Sequence, residues 1–211
     1  MDKKFIIWDL DGTLLNTLQD LYLATNYALR THNIPERTLE EVRQFVGNGV
    51  RKLIVRAVPN GDSNAAFEDI FSTFKSYYVD HCRDNTGLYP GIAETLAELK
   101  KRGHRMAIVS NKLQAGVTEL YKTFFDGLID VAIGERPNVR RKPYPDMVNI
   151  AIEELGATRE DCVYIGDSEV DVATGKEAGL PCISVLWGFR TKEELLQSGA
   201  TTFINKPQEL L

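Results

Sequence analysis

Cysteine and histidine are both scarce, three of each in 211 residues. Cys82, Cys162 and Cys182 are odd in number, and no pair has the spacing of a metal knuckle or a CxxC redox motif. Cys162 and Cys182 fall in apolar stretches of strand type and are expected in the core as free thiols. That usage fits a reducing, cytoplasmic setting. His32, His81 and His104 are scattered among polar neighbours, so no zinc centre is expected. No apolar run is long enough to span a bilayer, and the first residues lack the pattern of a secretion signal. Basic excess is lacking too: 25 Lys and Arg stand against 30 Asp and Glu, a formal net charge of −5. Broad binding to nucleic acid or to an anionic membrane is therefore not expected. Repeats and low-complexity segments are absent.

What is present is an ordinary folded-domain composition, 43% hydrophobic, and one stretch that organises the rest. Phe5-Ile6-Ile7-Trp8 reads as a strand covered on both faces. It runs into Asp9-Leu10-Asp11-Gly12-Thr13. On an extended chain Asp9 and Asp11 project to the same side. Gly12 lets the chain turn sharply, and Thr13 adds a hydroxyl and an amide. Two acids at the mouth of a buried strand repel each other and resist desolvation. A divalent cation offsets that cost, and oxygen ligands suit Mg²⁺.

The chain then divides by pattern. From Asn16 to Asp84 only helices are expected. Thr17 is a candidate cap for a helix to His32, Thr38-Leu39-Glu40-Glu41 is a capping box, and Ser63 is a candidate cap for a long helix ending near Cys82. From Tyr89 onward strands and helices alternate, with strands expected at Arg105–Val109, Ile129–Ile133, Val163–Ile165, Cys182–Leu186 and Thr202–Ile204. Such alternation means right-handed crossovers and a parallel sheet with helices on both faces.

Polar punctuation recurs where these strands end, at Asp9, Ser110 and Asp167. In open parallel sheets ligands sit beyond those ends. Ser110-Asn111 is expected at a helix N-terminus, where a hydroxyl and an amide either hold a phosphate oxygen or simply cap the helix. Lys112 adds charge there or is solvated. Two prolines fix Arg140-Arg141-Lys142-Pro143-Tyr144-Pro145, so Lys142 either neutralises clustered acids or lies on a solvated face. Asp167 and Asp171 share a face if a helix starts there, and Asp171 is equally an acid in the first turn of a helix.

In this order the four motifs resemble those of haloacid dehalogenase-like hydrolases, across nearly the whole chain. The resemblance implies an α/β fold. Residues 1–15 and 85–211 form a Rossmann-like core of parallel sheet, and residues 16–84 form an inserted α-helical cap. It also implies a Mg²⁺-dependent phosphatase. By that resemblance Asp9 attacks phosphorus and becomes an aspartyl-phosphate, and Asp11 protonates the leaving alcohol and then activates water. Mg²⁺ is held by Asp9, the main-chain carbonyl of Asp11, and Asp167. Ser110, Asn111 and Lys142 bind the transferring phosphoryl group, with Thr13 and Asp171 in support.

Val46-Gly47-Asn48-Gly49-Val50-Arg51 and Ser110-Asn111-Lys112 look like the phosphoglycolate phosphatase branch. Arg51 there meets a substrate carboxylate in a two-pronged hydrogen bond; a glycine-rich helix break with a solvated arginine is the other reading. Asn16-Thr17 stands where relatives often have Asp-Ser, and Tyr144 where a small residue is common, which could narrow the pocket. The partner implied is a small phosphorylated metabolite, with monomer and homodimer both open. A sugar phosphomutase shares the same chemistry. A phospho-accepting receiver domain shares the acids and lysine but not Asp11-Gly12-Thr13 or the cap.

Overall fold

A computed structural model describes residues 3–211, and the chain forms two compact units. One runs through Leu15 and resumes at Leu88; the other is Asn16–Gly87. Strand β1 (Phe5–Trp8) is buried along its whole length. Ile6 and Trp8 join one apolar cluster, Phe5 and Ile7 another, which is why the run shows no polar alternation. The short strand β2 (Leu15–Asn16) follows, and pairs with β3 (Gly87–Leu88) where the chain returns.

Between them lie α1 (Leu18–Thr31), α2 (Leu39–Phe45), α3 (Val50–Ala57) and α4 (Phe67–His81). The capping box expected at Thr38 and Glu41 opens α2, with the Thr38 hydroxyl accepting from the Glu41 amide at 3.2 Å. Two caps differ from expectation. Thr17 precedes α1 but its hydroxyl makes no capping bond, and Ser63 closes a 3₁₀ turn. Helix α4 starts later, after Asn64 accepts from the Ala66 amide at 2.9 Å. Phe67, Phe71, Phe74 and Tyr78 recur every three or four residues on α4 and stack ring upon ring along its buried face. Asp20 on α1 is buried and accepts from the Asn85 amide and side chain and from the Thr86 hydroxyl, which tie residues 85 and 86 to the helical unit.

The other unit continues with α5 (Ile92–Lys101), β4 (Arg105–Leu113), α6 (Gln114–Phe124), β5 (Val131–Glu135) and α7 (Asp146–Leu155). It closes with β6 (Cys162–Gly166), α8 (Glu169–Ala178), β7 (Cys182–Val185), α9 (Lys192–Gln197) and β8 (Phe203–Ile204). The six-stranded sheet has the order β5-β4-β1-β6-β7-β8, all parallel. The fold is thus the expected Rossmann-like α/β core with a helical insertion. Strand order reverses at β1, so the carboxyl ends of β1, β4 and β6 adjoin one crevice. Strand β4 is longer than expected and its register slips between Val109 and Leu113. Strand β5 begins two residues late because Asp130 accepts from the Met106 amide instead. Among the described residues no helix is long and apolar enough to cross a membrane.

Replacing Asp20 with alanine removes a buried carboxylate acceptor, and hydrogen bonds from neutral donors to a charged acceptor of this kind contribute about 1.5–3 kcal/mol. Asp20→Ala is expected to lower the urea midpoint accordingly; an unchanged midpoint would show that this tie is not stabilising.

Candidate active site

The acid that ends β1 is 6% exposed. Its amide donates to the Ile165 carbonyl at 2.8 Å, carrying the ladder one residue past the strand. Asp9 Oδ1 accepts from Lys142 Nζ at 2.5 Å. The same ammonium donates to Asp171 Oδ1 at 2.8 Å and to the Tyr164 hydroxyl at 3.1 Å. An ammonium has three protons, and these three contacts accommodate all of them. The main chain of Lys142 is fixed as well. Asn111 accepts from its amide at 2.8 Å and donates to its carbonyl at 3.2 Å.

Asp11 faces elsewhere. Its carboxylate meets Lys112 Nζ at 2.9 Å and the Ser110 hydroxyl at 3.4 Å. Leu15 donates to the Leu10 carbonyl and accepts from the Gly12 amide, so that turn passes over Asp11 and leaves its carbonyl outside the pairing. Ser110, Asn111 and Lys112 all lie in the irregular end of β4, and α6 begins only at Gln114. The expected helix N-terminus at Ser110-Asn111 is therefore corrected. The register slip turns both side chains inward, Asn111 to the Lys142 backbone and Ser110 toward Asp11.

Asp167, 1% exposed, follows β6. Gly12 has φ +96°, and a Cβ on it would lie 2.4 Å from the Asp167 carboxylate, so glycine is required for the approach. Asp171 plays both parts open to it. Its Oδ2 accepts from the Asp167 and Ser168 amides and the Ser168 hydroxyl, capping α8, while Oδ1 holds Lys142 and Tyr164. Asp9, Asp167 and Asp171 each place an oxygen within 4.8 Å of the others. Asp11 adds no carboxylate to that cluster. Asp171 accepts five hydrogen bonds, whereas Asp9 and Asp167 accept one on each oxygen, so those two acids keep lone pairs that could hold a cation, and an all-oxygen set fits a hard divalent ion.

Three buried carboxylates face one ammonium. Burial pushes Asp9 well above the ordinary carboxylate range; Lys142 pulls it back, and Asp171 and Asp167 push it further up. Asp167 is pushed up to about 7, by burial first and then by the charge of Asp171. Burial acts the same way on Asp171, but Lys142 and Ser168 outweigh it and hold that carboxyl low. Lys142 stays protonated because Asp171 and Asp9 overcome the burial that disfavours its charge.

Other expected residues sit in different settings. Arg51, on α3, pairs through both terminal guanidinium nitrogens with Glu68 and lies over the Phe67 and Phe71 rings. Tyr144 is 52% exposed, with the Arg140 guanidinium 4.4 Å from its ring centre. Tyr164 was not anticipated, because a tyrosine within an apolar strand reads as core. Lys112, for which the sequence allows pocket or solvent, is 7% exposed and faces Asp11.

The geometry agrees with the comparisons. Residues 6–185 match the family model described as haloacid dehalogenase-like hydrolase. The chain belongs to the haloacid dehalogenase-like hydrolase family. It is 32% identical over 191 residues to the phosphoglycolate phosphatase of Aquifex aeolicus, covering 88% of this chain and 86% of that one. A crystal structure of a Lactobacillus delbrueckii subsp. bulgaricus protein superposes with a TM-score of 0.95 at 35% identity, covering 100% of this chain and 97% of that one. CbbY from Rhodobacter sphaeroides, crystallised in complex with phosphate, superposes with a TM-score of 0.80 at 27% identity, covering 99% and 96%.

A raised folded-state pKa means that the metal-free protein keeps a proton the unfolded chain has already released. On account of Asp167, stability should fall as pH climbs from the ordinary value of 3.8 and level off above about 7. Asp9 acts with the same sign. A divalent cation such as Mg²⁺ would bind these acids in their ionised form, so any rise in melting temperature on adding Mg²⁺ is expected to be larger at pH 8 than at pH 5.5. Equal rises at the two pH values would contradict this charge assignment.

Proposed function

We propose that this protein is a Mg²⁺-dependent phosphatase of small phosphomonoesters, acting through an aspartyl-phosphate on Asp9. Phosphoglycolate is the first substrate to test, since the Aquifex aeolicus relative carries that name. The observation that carries the reading is the setting of Asp9. It is a buried carboxylate oriented by Lys142, beside a second acid, Asp11, that faces different partners. Regulatory capture of a phosphate needs only the first; turnover of an alcohol ester needs both.

Asp9 attacks the phosphorus in line. As the Asp9–phosphorus bond forms, the bond to the substrate alcohol breaks, and Asp11 delivers a proton to the departing oxygen. Asp11 then removes a proton from water, whose oxygen attacks phosphorus and expels the Asp9 carboxylate as inorganic phosphate leaves. Lys142 keeps Asp9 pointed and partly neutralised, acting on the transferring group through the nucleophile. Asn111 keeps Lys142 in place from behind. An incoming phosphoryl dianion competes with Asp11 for Lys112 and the Ser110 hydroxyl, leaving Asp11 free to carry its proton. Asp9, Asp167 and the Asp11 carbonyl would hold Mg²⁺, which supplies charge neutralisation for the phosphoryl oxygens.

Phosphate release from a panel of small phosphomonoesters that includes phosphoglycolate tests the reading. Asp9→Asn is expected to remove activity. Asp11→Asn should lower kcat by about 10²–10⁴-fold, the usual contribution of a positioned acid and base. Undiminished release by Asp9→Asn would reject the mechanism.

A further inference from the structure

Asp167 is gripped from two sides. Its Oδ1 accepts from the Thr13 hydroxyl at 3.1 Å, and its Oδ2 accepts from the Phe189 amide at 2.7 Å. Phe189 lies on the loop that follows β7. Two residues earlier, the Trp187 indole N–H donates to the Thr13 carbonyl at 2.9 Å. These contacts close a ring: Thr13 to Asp167, Asp167 to Phe189, and Trp187 back to Thr13.

Gly188, between the two aromatic residues, is pressed against the acid. A Cβ there would lie 2.2 Å from Asp167 Cβ and 2.6 Å from the Gly12 carbonyl oxygen. Beyond Phe189 the loop is anchored by Arg190, itself 6% exposed, which pairs with Glu169 at 2.8 and 3.3 Å. Left alone, a carboxylate turns about its last bond. Donors on different oxygens fix its plane, and each oxygen keeps a lone pair for a cation.

We propose that Trp187 is a positioning residue for metal binding. It pins the loop after β7 to Thr13, so that the Phe189 amide and the Thr13 hydroxyl together aim the Asp167 carboxylate. This rests on the reading that Asp167 is a Mg²⁺ ligand. Partners that orient a ligating carboxylate are worth about 10–100-fold in metal affinity. The indole N–H is the atom at issue, and Phe189 contributes through its main-chain amide.

Two substitutions separate these roles in the full-length protein, with Mg²⁺ alone as the probe. Trp187→Phe keeps an aromatic ring and removes the donor. Its half-saturating Mg²⁺ concentration for phosphate release is expected to rise about 10-fold or more, with the rate at saturating Mg²⁺ close to the original. The increase in melting temperature on adding Mg²⁺, taken from each variant's own metal-free value, should shrink in parallel. Leu195→Ala, at a fully buried position on α9 beyond the loop, leaves every member of the ring in place. It should lower the metal-free melting temperature through lost packing and leave the half-saturating Mg²⁺ concentration where it was. An unaltered Mg²⁺ response in Trp187→Phe would overturn the proposal. So would a loss in Leu195→Ala as large as that in Trp187→Phe, since packing around the loop would then be the cause. If the unsubstituted protein shows neither a Mg²⁺-dependent rate nor a Mg²⁺-dependent melting shift, the metal reading itself falls.

Discussion

The contact on which the site depends is the ammonium of Lys142 among Asp9, Asp171 and Tyr164. Buried ion pairs are poor evidence for stability, because desolvation can exceed the attraction and an apolar replacement is often as stable. Removing one partner is different, costing about 3–5 kcal/mol, because a charge is then left buried without a counterpart. The arrangement is thus tightly specified without being the simplest way to hold the fold together. Structural need alone does not account for a third acid, Asp167, beside a pair that already balances poorly. Chemistry that uses negative charge does.

Topology makes the meeting possible. Lys142 lies 133 residues from Asp9 and 29 from Asp171, on the segment between β5 and α7. Parallel strands all discharge their chain at the same edge, so each crossover returns a fresh loop to it. The reversal of strand order at β1 opens a crevice there. The slip at the end of β4 then lets consecutive residues serve different neighbours: Asn111 holds the Lys142 backbone and Lys112 holds Asp11. A regular strand would have sent those two side chains to opposite faces of the sheet.

The residues legible in the sequence were those that break a strong local pattern. Asp9 and Asp167 each end an apolar strand, and Asp9 is followed by a second acid and a glycine, so composition and position agreed. Asp171 was ambiguous for a physical reason: one of its oxygens does cap a helix while the other holds the lysine. Asn111 was misplaced because a strand irregularity leaves no compositional mark, and a polar pair before an amphipathic run looks like a helix start. Trp187 and Phe189 gave no signal at all. Their contributions are one indole N–H and one main-chain amide, and an aromatic residue after a strand reads as core. Helices and strands themselves were legible wherever apolar periodicity was long, as in α1 and α7, and least so at short caps such as Ser63, where one turn of backbone decides the outcome.

An acidic protein that takes an anionic substrate, as the proposed function requires, needs local positive charge, and here the fixed cations of the site are already matched. Lys142 is held by two carboxylates, Lys112 by Asp11, and Arg190 by Glu169. A phosphate monoester approaching Asp9 alone would meet net negative charge. In the proposed mechanism Asp9 must also be ionised to attack, and burial works against that. On the proposed function both difficulties have one remedy, a divalent cation that Asp9 and Asp167 would hold. The burial, and after it the like charge, that raise these acids in the metal-free protein would also favour cation binding. Such binding would leave Asp9 ionised yet poorly solvated, which is the condition of a reactive nucleophile. On this account the crowding of acids at the end of β1 both recruits the ion and keeps the attacking oxygen reactive, and neither acid could be made comfortable without losing the other's function.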